Sequence, residues 1–152
     1  MSSTGFEFCY MLDGTHGTPV IRDLPVHGTG AYATGDLVKV NGSADGEVAR
    51  VTNTMAEATG VMQETRTTGV DAAKMKVAIL TREQVWRCSM NAATTAFVVG
   101  YTKTIDTVDH NTISATDQTG GTMILVDKSE LDDDGNVLAY VVFSSTSFGN
   151  TV

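Results

Sequence analysis

The sequence predicts an all-β protein, a small β-barrel or sandwich domain with an extended N-terminal arm. Three observations lead there. No segment keeps a helical period over twelve residues. Seven or more short runs are of strand length, either alternating apolar with polar side chains or apolar throughout. Turn signals such as Asn41-Gly42, Asp45-Gly46 and Asp134-Gly135 stand between them. Threonine is also frequent, and Thr and Val suit a pleated surface.

At 152 residues the chain is one domain by size, with residues 1–30 expected as the arm and 31–152 as the β domain. Phe6, Phe8 and Tyr10 alternate with Glu7, Cys9 and Met11, which predicts a short strand with an aromatic face before a turn at Asp13-Gly14. Pro19 and Pro25 confine the next segment to a sheet edge or an extended arm. Two readings of the aromatic face stay open. It closes the domain's own core, or it packs on a neighbouring subunit because exposed aromatic faces mark contact surfaces. The second reading predicts that removing Met1–Leu12 leaves the β domain folded.

Leu37–Val40 is a strand ending at Asn41-Gly42, and Glu47–Val51 returns antiparallel to it. Met55–Ala58 is expected as a single helical turn, Gly60–Met62 as a strand and Thr65–Asp71 as a polar loop. The central stretch runs from Lys74 to Cys88. Met75, Val77 and Ile79 alternate with Lys74, Lys76 and Ala78, and after Thr81-Arg82-Glu83 the phase flips so that Trp86 and Cys88 point inward. A bulge, a corner or a tight hairpin produces such a flip, because one extra residue turns every later side chain over. Asn91–Thr95 reads as a turn or half-helix, Ala96–Val99 as an apolar run of strand length, and Thr102–Thr122 as a long polar loop with one weak strand. Met123–Val126 and Val137–Phe143 are strands joined by the acidic connection Asp127–Asn136. The tail from Ser144 is expected to fray.

The formal charge of −8 leaves no basic stripe to neutralise phosphates, so nucleic acid is not an expected partner. The N-terminus lacks the basic and long apolar regions of a signal peptide, and no apolar run approaches membrane-spanning length. Cys9 and Cys88 make neither a disulfide framework nor a zinc site and read as reduced thiols.

Chemical motifs are weak. Gly28-Thr29-Gly30-Ala31-Tyr32-Ala33 matches a dinucleotide-binding pattern, but it leads into a strand rather than a helix whose amides would hold a pyrophosphate. A flexible approach loop is the better account. Glu130, Asp132, Asp134 and Gly135 resemble the start of a calcium loop, yet the twelfth position is Val141, so the closing carboxylate is missing. His16, His27 and His110 are scattered, no nucleophile elbow is present, and no carboxylate pair stands out. No enzyme, metal or cofactor is expected. Trp86 with Arg82 and Arg87 has two readings, a β-core tryptophan or a platform for a sugar or protein partner.

Three segments in order carry a family resemblance: Ala33-Thr34-Gly35-Asp36-Leu37-Val38, Ala58-Thr59-Gly60-Val61-Met62 and Met75–Leu80. Together they resemble the small capsid decoration, or cement, proteins of tailed bacteriophages, over about residues 30–90. The acidic connection and the long polar loop depart from that pattern. The resemblance implies a β-rich structural protein, often a homotrimer, on the outer surface of an icosahedral virion. It would bind the major capsid protein and clamp capsomers against the pressure of packaged DNA. Phe6, Phe8, Tyr10, Trp86 and Arg87 are the residues expected at trimer or capsid contacts. The alternative is a virion-surface module that binds host glycans, with Trp86 or Tyr101 as the stacking platform.

Overall fold

Between Ile79 and Gln84 the chain leaves one sheet and enters another. The expected phase flip does not occur: Met75 and Val77 face a second apolar cluster, whereas Ala78 and Leu80 share the main core with Trp86 and Cys88, all four at even positions. A computed structural model describes residues 5–41, 46–51, 58–91, 99–100, 102–103, 112–114, 122–144 and 146–147. Its strands are β1 (Glu7–Met11), β2 (Ile21–Pro25), β3 (Leu37–Val40), β4 (Val48–Arg50), β5 (Gly60–Met62), β6 (Lys74–Ile79), β7 (Gln84–Ser89), β8 (Thr102–Lys103), β9 (Met123–Leu131) and β10 (Val137–Phe143). They make two five-stranded antiparallel sheets, ordered β1-β7-β10-β9-β8 and β2-β6-β5-β3-β4. The fold is all-β, as the sequence predicts.

Gln84 pins the corner. Its Oε1 accepts from the Thr81 amide at 3.0 Å and from Trp86 Nε1 at 3.1 Å, while Nε2 donates to the Ile79 carbonyl at 3.1 Å. A buried side chain with these partners satisfies the backbone groups that a change of sheet leaves without ladder partners. Trp86 and Cys88 then point inward at 1% and 0% exposure.

The main core lies between the sheets and includes Leu37, Val61, Ala78 and Leu80 from one side and Trp86, Leu125, Val141 and Phe143 from the other. A second apolar cluster, Val26, Tyr32, Val38, Val48, Met62, Met75 and Val77, covers the other face of the second sheet. That sheet curls: past β2, Val26 bridges Val48 of β4 in parallel, and the His27 amide donates to the Val48 carbonyl at 2.8 Å. Both faces are therefore buried, which explains why Leu37-Val38 and Gly60-Val61-Met62 are apolar without alternation. It also places Ala78, expected outward, against the main core.

The arm expected over residues 1–30 is not seen in the described part of that stretch. β1 is the terminal strand of one sheet and β2 of the other, and Phe6 is a core residue packed on Phe143 at 5.9 Å between ring centres. Removing Met1–Leu12 would thus strip a strand and a core aromatic from the domain. The single aromatic face is corrected too. A bulge at Cys9 pairs Phe8 with Trp86 but Tyr10 with Val85, so Tyr10 turns to the opposite face from Phe8. Pro25, lacking an amide proton, ends an edge strand as expected.

The expected helical turn at Met55–Ala58, the turn at Asn91–Thr95 and the run Ala96–Val99 fall largely outside the described residues, as does most of Thr102–Thr122. Within that last stretch Thr102–Lys103 forms β8, and Ile113 bridges Met90. The start of the tail docks: Thr146 bridges Ala58, and the Ser147 amide donates to the Ala58 carbonyl at 3.0 Å.

β9 runs further than expected, so the acidic connection shrinks to a turn closed by Asp132. Its Oδ1 accepts from the Asp134 amide at 2.9 Å and the Asn136 amide at 2.8 Å, with Gly135 at φ +81°. Burial pushes the Asp132 carboxyl up, but bonds from the Asn136 and Asp134 amides and from Ser89 outweigh it and hold the group below its ordinary value. A carboxylate depressed in the folded state adds stability above its unfolded pKa of about 3.9, and this is lost as pH falls through the folded value. Asp132→Ala is expected to cost about 1 kcal/mol at pH 7. The gap from the parent should close below about pH 4. Urea denaturation at several pH values checks both.

Candidate functional site

The residues singled out from the sequence separate into core and surface. Phe6 and Trp86 are buried, and Phe8 is half-buried with its ring edge-on to Trp86 at 5.6 Å. Trp86 is therefore not open for stacking on a sugar, and Tyr101 lies outside the described residues. Arg87 is engaged within its own sheet: Nη2 donates to Glu7 Oε2 at 2.6 Å across the β1–β7 pair. Bonds to Glu7 first and Tyr140 second raise its already high pKa, so it stays charged. Tyr10 is the member of the set that faces solvent, 45% exposed.

Tyr10 is not alone. Leu12, Val20 and Ile21 are also exposed large apolar residues, and all four flank the connection between β1 and β2. Among the described residues those two strands are the terminal strands of their respective sheets, so the connection joins two sheet edges. A cleft of about 450 Å³ lies between them, lined by Phe8, Pro19, Ile21, Thr34 and Gln63 among others, with Ile21 the one of the four exposed residues that borders it. Apolar side chains beside a terminal strand suit addition of a partner's strand or docking of a partner's apolar edge. Sequence periodicity could not find this surface, because Leu12 and Val20 lie outside any strand and the Cys9 bulge reverses Tyr10.

The three segments of the resemblance assemble into one piece. Residues 33–38 lead into β3, residues 58–62 form β5 and residues 75–80 form most of β6, and these strands are adjacent in the order β6-β5-β3. Their distinctive side chains are architectural. The buried Asp36 carboxylate accepts from the Ala33 amide at 2.8 Å and sits 3.5 Å from Arg50 Nε. Gly60 is needed for closeness, since a Cβ there would lie 2.4 Å from Val77 Cγ1 and 2.5 Å from the Ala78 carbonyl oxygen.

The glycine-rich stretch 28–33 is held rather than flexible. Arg66 donates to the Gly28 carbonyl at 2.8 Å and the Gly30 carbonyl at 3.1 Å, and its guanidinium lies 5.2 Å from the Tyr32 ring centre. The Tyr32 hydroxyl donates to the His27 carbonyl at 2.7 Å, and burial raises its pKa. This tethering brings His27 beside Glu47 and Asp71, three residues no sequence motif connects. Their donor atoms all lie within 4.8 Å of one another.

No protein-family model matches the chain, and neither a curated protein nor a solved structure matches it significantly.

Proposed function

We propose that the chain is a structural, non-catalytic virion protein. It binds the outer surface of an icosahedral phage capsid, as a homotrimer on the major capsid protein, and cements capsomers against the pressure of the packaged DNA. One observation carries this reading: the three short segments that resemble the decoration proteins, separate in sequence, form adjacent strands of a single sheet. A resemblance scattered over unrelated surfaces would carry no such weight. The roles of Asp36 and Gly60 support it further, because residues that build a sheet are what a structural family would share. An acidic chain of net charge −8 also suits a position outside the shell, away from the DNA.

The surface around Tyr10, Leu12, Val20 and Ile21 is the contact face in this reading. Binding only the expanded shell lowers that state's free energy at every occupied site. Each contact need bury only about 800 Å² per partner. Trimerisation multiplies the effect, since later contacts form within an already tethered complex. No cofactor enters this role.

Co-sedimentation with the expanded, undecorated heads of the cognate phage tests it. Saturable binding at a copy number set by the shell's symmetry, with heads made more heat-resistant, is the expected result. Failure of the folded protein to bind would overturn the reading. The double substitution Tyr10→Ser, Ile21→Ser replaces two exposed side chains and should leave the thermal midpoint near that of the parent. It is expected to weaken head binding by about tenfold or more. Undiminished binding would move the contact face elsewhere.

A further inference from the structure

At one end of the curled second sheet, His27 follows β2, Glu47 precedes β4 and Asp71 precedes β6. The imidazole Nδ1 lies 2.9 Å from Glu47 Oε2 and 4.0 Å from Asp71 Oδ1. Asn41 Nδ2 is 3.1 Å from the same ring nitrogen. We propose that His27, Glu47 and Asp71 form a binding site for one divalent transition cation, with Zn²⁺ as the best chemical fit.

Donor chemistry selects the ion. One imidazole nitrogen with two carboxylate oxygens suits zinc, whereas calcium and magnesium favour all-oxygen shells. Two carboxylates balance the charge of a dication. Ligands around tetrahedral zinc stand roughly 3.3–3.6 Å apart, so each donor atom needs to move by less than about 1 Å. A carboxamide turned end over end exchanges its nitrogen and oxygen, and Asn41 then offers Oδ1 as a fourth donor.

With the Asn41 carboxamide so turned, the His27 ring nitrogen faces two oxygen acceptors, Glu47 Oε2 and Asn41 Oδ1. A cation bound by Nδ1 and these oxygens would take the place of the proton they share. The Glu47 side chain is only 6% exposed, so its carboxylate is held largely out of water beside the imidazole.

The donors are also positioned by groups outside the cluster. The Gly28 amide donates to Asp71 Oδ1 at 2.7 Å, Tyr32 holds the His27 carbonyl, and the Val26–Val48 bridge fixes His27 beside Glu47. Bound metal would tie the ends of β2, β4 and β6 together, and it would favour the folded chain over the unfolded one. This site is independent of the capsid reading.

The test is titration of the chelator-treated protein with Zn²⁺ alone, followed by calorimetry and by the thermal midpoint, with Ca²⁺ as the comparison ion. His27 and Asp71 are half-exposed, so His27→Ala and Asp71→Ala should fold, and His16→Ala serves as a control away from the cluster. Expected are one Zn²⁺ per chain with a raised midpoint, affinity lowered at least about tenfold in His27→Ala and Asp71→Ala, and no change in His16→Ala. Absence of stoichiometric zinc binding, binding undiminished in both cluster variants, or tighter binding of Ca²⁺ than of Zn²⁺ would overturn the proposal.

Discussion

Gly60→Ala is expected to lower the unfolding free energy by about 3 kcal/mol or more, a loss of the size that overpacking a tight interior causes. The added methyl would have to sit 2.4 Å from Val77 Cγ1 and 2.5 Å from the Ala78 carbonyl oxygen. Val77 is itself buried in the second apolar cluster, and Ala78 belongs to the β5–β6 ladder through its pairing with Val61. Neither can retreat without opening the β5–β6 pairing. The natural control is Gly30→Ala, where a Cβ meets nothing within 4 Å. That variant should remain within about 0.5 kcal/mol of the parent. Urea midpoints of the two variants decide the matter. Equal stability would mean that β5 and β6 do not approach one another so closely at Gly60.

Trp86→Ala is expected to cost about 4 kcal/mol, within the range for truncating a large buried aromatic. Against a typical total of about 5–15 kcal/mol this leaves a marginal domain. Two effects add. The cavity removes the partner of the Phe8 ring, and loss of the indole N–H frees one side of Gln84 Oε1, which also holds the Thr81 amide at the corner between the sheets. Circular dichroism during denaturation gives the stability without relying on the chain's one tryptophan. A variant of near-parental stability that instead lost its partner would show Trp86 to be a contact residue after all.

These two residues show how differently the sequence spoke. Trp86 was legible because it lies in phase with Cys88, whereas the flip read after Thr81-Arg82-Glu83 came from assigning Met75 and Val77 to the same core. Gly60 was visible only as part of a short motif, since nothing in one dimension says that Val77 will stand above it. The aromatic face of Phe6, Phe8 and Tyr10 was half legible. Periodicity assumes an unbroken pleat, and the extra residue at Cys9 breaks it. The candidate contact surface mixes strand and connection residues, which share no period. His27, Glu47 and Asp71 were invisible as a group, because they meet only through the Val26–Val48 bridge and the tether from Arg66 to the glycine-rich stretch.

By itself the sequence determined the all-β class, the places of most described strands and the inward side of Trp86 and Cys88 in β7. These depend on local properties: side-chain period, β-branching and turn residues act within a few positions of one another. Only the tertiary structure decided which strands pair, that β6 and β7 belong to different sheets, and that the second sheet curls over a cluster of its own. Every strand offers the same backbone donors and acceptors, so a local pattern cannot name its neighbour. That choice is made by long-range packing, and it builds both the terminal strands β1 and β2, where the contact face is proposed, and the His27 cluster.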